Sequence, residues 1–320
     1  MDSLNNLIKE LRAEVNYCIQ FEDERCENSN YKNVIADYQK AIEIEPDDYV
    51  AYYKWGLSLD EYWLVRDNRI HCDIEEKFHK VIDITTKIIK NNPQDVNALL
   101  HRGNAKTKIS ECREAIEDYS KVIDIDPLSI EAYKGRASAK HSSNNVLGAY
   151  EDYTRIIEID ANNAEAYVSR GYIIRKDTDI SRAIEDFSKA LKINPNNLDA
   201  IRGLAHTKED MGFYQEAIEY YTLAIEISNN AWWAYEKCAE LKVKLNDLDG
   251  AIQDYLKAIE IDDKKHYYYR KLAEIYYDKK EYEQALEYTN KAIALFLIDT
   301  GMAEFKDKII SALELKNNKV

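Results

Sequence analysis

An alanine recurs along this chain at a constant interval of 34 residues, and this interval constrains the fold more than any other feature. The alanines are Ala115, Ala149, Ala183, Ala217, Ala251 and Ala285. Most are followed four positions later by an aromatic residue, at Tyr119, Tyr153, Phe187, Tyr221 and Tyr255, but Ala285 is followed by Thr289. Since a fixed period of roughly 20 to 50 residues is typical of stacked repeats, the chain is predicted to form an array of similar units.

One unit, from Ala164 to Pro195, is predicted to form two short helices. Its first half places Tyr167, Gly171 and Ile174 on one helical face. Its second half does the same with Ala183, Ile184, Phe187, Ala190 and Leu191. Residues 177–179 suit a turn with a helix N-cap, and Pro195 ends the second helix because proline has no backbone donor.

A unit of 34 residues with two helices resembles the tetratricopeptide repeat (TPR). The tyrosine near the start of the first helix recurs as well, at Tyr133, Tyr167, Tyr235 and Tyr269, and a first unit carries Val34, Tyr38, Ala41 and Pro46. The chain is therefore similar to the TPR family over nearly its whole length. This resemblance implies an all-α, right-handed superhelical solenoid of about eight repeats with N- and C-terminal capping helices, whose leading helices line a concave groove.

The register of the anchors divides the chain. Residues 1–14 are predicted to extend the first helix, residues 15–299 to form the solenoid, and residues 300–320 to form a capping helix with one apolar face. The predicted repeats are 15–48, 49–95, 96–129, 130–163, 164–197, 198–231, 232–265 and 266–299.

The second repeat is longer than the others. From Val34 to Val81 is 47 residues, 13 more than one period (47 − 34), and the extra residues are about 60–72. We expect them to lengthen the two helices without further consequence, because insertions in repeat arrays map to loops and helix ends. The alternative is a partner contact that exposes Trp63.

Composition excludes several classes of protein. A net charge of −15 argues against nucleic acid as a partner, since phosphate binding needs a basic footprint. We find no secretory signal and no apolar run long enough to cross a membrane, so no membrane insertion is expected. Five cysteines without a regular spacing indicate reduced thiols, and a cytoplasmic location is expected.

No motif for catalysis or for a cofactor stands out. The sequence contains no Gly-rich phosphate loop, no Gly-x-Ser-x-Gly and no Cys-x-x-Cys. Glu75 and His79 are four residues apart and could share a metal, but two ligands do not make a site. We therefore expect a protein that is not an enzyme and that holds neither metal nor cofactor.

Three repeats carry an arginine at their seventh position, where the family usually has leucine, and an aspartate 16 residues later. These residues are Arg102 and Asp118, Arg136 and Asp152, and Arg170 and Asp186. Because the charges occur together, we predict structural ion pairs between the two helices of each of these repeats. The rule leaves Asp254 opposite Cys238 and Asp37 opposite Phe21 without an explanation.

Charge is unevenly divided between the two sets of helices. In repeats three to six the leading helices are rich in Lys, Arg and His, while the second helices are acidic. We hypothesise that the groove binds an extended or helical partner segment that is acidic or has a free carboxylate. The alternative is that groove residues are polar only because they are wet. The candidate binding residues are His101, Asn104, Lys134, His141, Tyr172, Arg175, Arg202, His206, Trp233 and Tyr267.

The best-known TPR ligand mode, the dicarboxylate clamp, is not matched. From the third repeat the clamp positions hold Leu100, Asn104, Gly135, Glu165 and Ser169 instead of the Lys, Asn and Arg that it needs. The sequence therefore favours a non-enzymatic scaffold or adaptor for another protein or peptide partner. The alternative is a structural or assembly subunit that acts through self-association or through its convex and terminal surfaces. A monomer or weak homo-oligomer is expected.

Overall fold

The computed structural model describes residues 29–63, 71–175, 180–295 and 300–317. Within these ranges the regular secondary structure is entirely helical, without a strand, and the prediction of an all-α repeat protein is confirmed. The predicted N-terminal extension at 1–14, the turn at 177–179 and the side chain of Trp63 lie outside the described part, as does most of the insertion.

The described ranges contain sixteen helices in two compact units. The first unit, Met1–Ala161, holds α1 (Ser29–Ile44), α2 (Tyr49–Trp63), α3 (His71–Asn91), α4 (Val96–Lys108), α5 (Cys112–Ile125), α6 (Ile130–Ser142) and α7 (Val146–Ile159). The second unit, Asn162–Val320, holds α8 (Ala164–Arg175), α9 (Ile180–Ile193), α10 (Leu198–Asp210), α11 (Tyr214–Ile227), α12 (Trp232–Lys244), α13 (Leu248–Ile261), α14 (His266–Asp278), α15 (Tyr282–Leu295) and α16 (Thr300–Asn317).

The even-numbered helices α2 to α14 are the leading helices, and the odd-numbered helices α3 to α15 are the second helices. The side chain of the residue before a leading helix satisfies a first-turn backbone amide. Asp95 accepts from the amide of Ala98 at 2.9 Å, and Asn197 accepts from that of Ala200 at 2.9 Å. A first-turn amide has no partner within its own helix, so these caps fix where each leading helix begins.

Each described turn from a leading helix to its second helix contains one residue with left-handed backbone. These residues are Ser110, Asn144, Gly212, Asn246 and Lys280, with φ between 62° and 79°. A backbone bond closes the turn, as from the amide of Glu111 to the carbonyl of Lys106 at 2.8 Å. This arrangement ends the leading helix and reverses the chain within a few residues.

Aromatic rings of the second helices pack against glycines of the leading helices. In the first unit the Tyr119 ring lies between Gly103 and Gly135, and a Cβ added to Gly135 would be 2.4 Å from its Cε1 atom. In the second unit Phe187 lies against Gly203, where an added Cβ would also be 2.4 Å from the ring. No side chain fits at these points, so the glycines set the spacing of successive leading helices.

Leading helices contact one another as well as their second helices. In the first unit α4 contacts both α2 and α6, and in the second unit α8 contacts α10. Each unit therefore presents a surface made of leading helices. The last helix, α16, packs on α15 and buries Met302 and Ile309. Among the described helices, none has both the length and the apolar character to span a membrane.

The left-handed turn residues generate a prediction about stability. Replacing Lys280, which is exposed, by glycine should stabilise the fold by about 0.5–1 kcal/mol, because glycine adopts this backbone without steric cost. Gly212→Ala should destabilise by about 1 kcal/mol, since open space surrounds the added methyl group and only the backbone is strained. Urea unfolding followed by circular dichroism measures both changes, and equal signs would contradict this account.

The packing of Tyr119 generates a second prediction. Gly135→Ala should destabilise the first unit by about 1–3 kcal/mol, because the methyl group meets the ring. In a Tyr119→Leu background the same substitution should cost much less. Thermal unfolding of the four proteins of this cycle measures the coupling. A cost that is the same in both backgrounds would show that ring contact does not set the spacing.

Candidate functional site

Buried ion pairs join leading and second helices in the first unit. Arg102 donates to both carboxylate oxygens of Asp118 at 2.8 and 2.6 Å, and Arg136 donates to those of Asp152 at 3.0 and 2.6 Å. The aspartate side chains are only 2% and 4% exposed. Since removing one partner of such a pair leaves a buried charge, these contacts hold the leading helices in a fixed orientation.

The second unit contains the third of these pairs, in which Arg170 donates to Asp186 at 2.9 and 2.7 Å. In the first unit each arginine also reaches back to the preceding second helix. Arg102 donates to Thr86 and Arg136 donates to Ser120, both at 3.2 Å. One guanidinium thus links three helices of the array.

A lysine one turn after the arginine supplies a second cation. Lys106 and Lys140 each lie 2.8 Å from the aspartate of their repeat. In the second unit Lys242 lies 2.6 Å from Asp254, where the buried Cys238 replaces the arginine. Burial raises the pKa of Asp254, and Lys242 opposes this rise. The acid that the sequence rule left unexplained is therefore compensated from the next turn of the leading helix.

A pocket of about 330 Å³ opens on the leading-helix surface of the first unit. Its lining comes from α2, α4, α5 and α6 and consists of Tyr53, Asn104, Thr107, Lys108, Tyr119, Glu131, Lys134, Gly135 and Ser138. Sequence analysis predicted Asn104 and Lys134 as binding residues, and the structure brings them together here. It did not select Tyr53 and Glu131, although they occupy repeat positions that face the groove, and Lys108 lies at a position that it did not consider.

Tyr119 connects this pocket to the core. Its hydroxyl donates to Oδ1 of Asn104 at 2.7 Å and lies 3.3 Å from Thr107 Oγ1. Burial, as the largest cause, raises the pKa of Tyr119, and it raises the pKa of Tyr53 to about 12, with Glu131 adding to both rises. Because Asn104 accepts this hydroxyl proton, its amide nitrogen is directed away from it and is the donor end of the group.

The pocket contains charges of both signs. Lys108 forms an ion pair with Asp60 at 2.8 Å, and both side chains are partly exposed. Lys134 also lines the pocket. On the opposing side is Glu131, which is exposed and has no ion-pair partner within the described residues. The site is thus close to electrical balance and is not a purely basic groove.

The two candidate histidines of the first unit lie outside this lining. The His101 ring packs edge-on against Tyr49 and Tyr53, with centroids 5.1 and 5.7 Å apart, and its Nδ1 is 2.9 Å from the Asn97 carbonyl. His141 is exposed near the end of α6. His101 therefore borders the pocket through Tyr53, whereas His141 does not contribute to it.

In the second unit the candidate cations are paired with acids on the leading helices. Arg175 bonds with Asp210, and Arg202 bonds with Asp199. Tyr172 donates to the Asp199 carbonyl at 2.9 Å and accepts from Arg202 at 3.4 Å. An acidic ligand would have to exchange with these carboxylates.

Aromatic candidates continue along the second unit. The Arg202 guanidinium lies over the Trp233 ring, 5.4 Å from its centroid, and Trp233 packs edge-on against Tyr221. Tyr267 donates to Glu240 at 2.8 Å. Trp233 and Tyr267 are half-buried, so each presents part of its ring to a ligand.

Glu209 is the centre of a polar cluster on α10 and α12. Its carboxylate lies 3.7 Å from His206, 3.2 Å from the Tyr221 hydroxyl, and within 4.0 Å of Lys237 and Lys244. The His206 hydrogen bond is the largest cause that lowers the pKa of Glu209 to about 2. His206 is therefore held by the protein itself in this structure.

The described residues contain no group of three or more His, Cys, Asp or Glu side chains that is arranged to hold a metal ion. Glu75 and His79, the pair considered from sequence, are both exposed on α3.

Comparison with known proteins bears on the family. Residues 164–197 and 203–230 match one tetratricopeptide-repeat model, and residues 238–296 match another. No curated protein matches the chain significantly.

Several solved structures share the fold. The C-terminal part of a TPR repeat-containing protein from Cytophaga hutchinsonii is 13% identical, with a TM-score of 0.60, and the match covers 71% of this chain and 93% of that one. Pseudomonas aeruginosa pilF is 17% identical, with a TM-score of 0.55 and coverage of 68% and 100%. A tetratricopeptide repeat protein from Parabacteroides merdae is 18% identical, with a TM-score of 0.54 and coverage of 82% and 98%. At this identity these likenesses establish the fold.

The Glu209 cluster generates a prediction about pH. A carboxylate whose pKa falls on folding stabilises the fold above its unfolded value, near 4.5, and that contribution is lost as the pH falls towards 2. Glu209→Gln should therefore destabilise the second unit by about 1–3 kcal/mol at pH 7 and by much less at pH 2. Urea unfolding of both proteins across this range measures the difference, and a difference independent of pH would refute the assignment.

Proposed function

Because the chain is a tetratricopeptide-repeat protein, we propose that it is a non-enzymatic scaffold that binds a partner polypeptide on its leading-helix surfaces. The observation that carries this proposal is the pocket of the first unit, where amide, hydroxyl and ammonium donors converge beside aromatic rings. A few well-placed polar groups in a concave, partly aromatic site are typical of ligand recognition. The proposal places the scaffold in the cytoplasm, as the irregular cysteine spacing suggests.

The partner segment is proposed to carry acidic groups. In the first unit Lys108 and Lys134 supply cations, and Asn104 and Ser138 supply hydrogen-bond donors. Lys108 is engaged only in a solvent-exposed ion pair with Asp60, and such pairs contribute little, so a ligand carboxylate can exchange with Asp60 at low cost. Tyr172, Arg175, Arg202, His206, Trp233 and Tyr267 are proposed as a second contact region, within the second unit.

An assembly role is the second candidate. The final helix exposes Ile310 and Leu315 to solvent, 37% and 64% respectively, so a terminal apolar surface is available for self-association. Sedimentation velocity over a range of concentrations tests this candidate. A strict monomer, unchanged by Leu315→Glu, would eliminate it.

Charge reversal in the pocket tests the scaffold proposal. The double variant Lys108→Glu, Lys134→Glu should lose partner affinity by at least about tenfold, because two attractions become repulsions. Partners are captured from lysate, identified by mass spectrometry and then titrated against the purified proteins.

The matched control makes the same charge change on second helices, at the exposed Lys87 and Lys121. It should bind like the unaltered protein, and circular dichroism should show equal helicity for all three. A partner that binds both double variants equally well would remove the pocket from the proposal.

A further inference from the structure

The charges around the pocket of the first unit suggest more than an acidic ligand. Two lysines and one glutamate line it, and Asp60 pairs with one of the lysines. A carboxylate ligand next to the lysines would therefore lie near Glu131, which repels it. Affinity for acids alone is limited by this repulsion unless the ligand also brings a cation.

Glu131 lies where a cation would be well accommodated. It lines the same pocket as the phenol rings of Tyr53 and Tyr119, and its negative charge acts on both. A cation next to this carboxylate would gain the ion pair and also the attraction of an aromatic face. The Tyr119 hydroxyl donates to Asn104, so its proton is already satisfied and does not compete for Glu131.

The opposite side of the pocket suits an anion. Lys108, the amide nitrogen of Asn104 and the Ser138 hydroxyl are all donors in the lining. At about 330 Å³ the pocket is at the lower end of the size range of ligand sites and has room for one or two side chains. Both charges of the ligand must then come from residues that are neighbours.

We propose that this pocket receives two oppositely charged groups from adjacent residues of one polypeptide. The carboxylate lies on the side of Lys108, Asn104 and Ser138, and the ammonium or guanidinium lies on the side of Glu131. The inference rests on the proposed scaffold function and narrows its partner from an acidic segment to one with an acid and a base side by side. Two side chains, or a chain terminus with the side chain of its own residue, supply the same chemistry.

Peptide sub-libraries test this proposal with the full-length protein. Blocked hexapeptides with random uncharged flanks carry a central Glu-Lys, Glu-Gln, Gln-Lys or Gln-Gln pair, and a further set ends in a lysine with a free carboxylate. Peptides retained by the immobilised protein are quantified by mass spectrometry. Glu-Lys or the terminal-lysine set should be enriched about fivefold to tenfold over Glu-Gln and over Gln-Lys, as expected for a partly desolvated ion pair.

Glu131→Gln should abolish the preference for Glu-Lys over Glu-Gln, whereas Glu117→Gln, the same change at an exposed site on α5, should leave it intact. Equal retention of Glu-Gln and Glu-Lys by the unaltered protein would overturn the proposal. So would a Glu131→Gln variant that retains the preference, or an unaltered protein that retains no set at all. In the last case a lysate partner lost on lysine reversal would still support the scaffold function, so the two failures are distinguishable.

Discussion

The contact between an aromatic ring of one second helix and a glycine of the next leading helix determines the spacing in this protein. The Tyr119 ring occupies the volume that a side chain at Gly135 would need, and Phe187 does the same at Gly203. Dispersion contacts of a fully buried ring depend steeply on distance, so the glycine allows the neighbouring helix to approach until the ring is covered. The separation of the leading helices, and with it the width of the surface they form, follows from this contact.

Buried aspartates impose a second constraint. Each carboxylate removed from water needs a cation, and the chain provides it from either of two positions one turn apart on the leading helix. Arg102 and Lys106 both serve Asp118, while Lys242 alone serves Asp254 because Cys238 replaces the arginine. The requirement is therefore for a positive charge on one face of the helix, and the residue that carries it varies.

The helices were predictable from sequence because their causes are local. The spacing of apolar residues, the caps before leading helices and the recurrence of Ala183 and its equivalents determine a helix pair without knowledge of its neighbours. The candidate site was predictable only in part. Asn104 and Lys134 share a pocket, but the pocket exists because three leading helices and the Tyr119 hydroxyl converge on it, and a position-by-position analysis does not contain that convergence. Counting cations also overestimated the availability of Arg175 and Arg202, since an acid three or 35 residues away neutralises each of them.

Tyr119 belongs to two environments at once, and this divides the pocket into parts that differ in their freedom to change. Its ring is nearly inaccessible to solvent, while its hydroxyl orients Asn104 at the ligand side. A substitution at this base of the pocket alters recognition and helix spacing together. The rim residues Glu131 and Ser138 carry no such double duty, so new specificities can be installed at the rim while the architecture beneath stays intact.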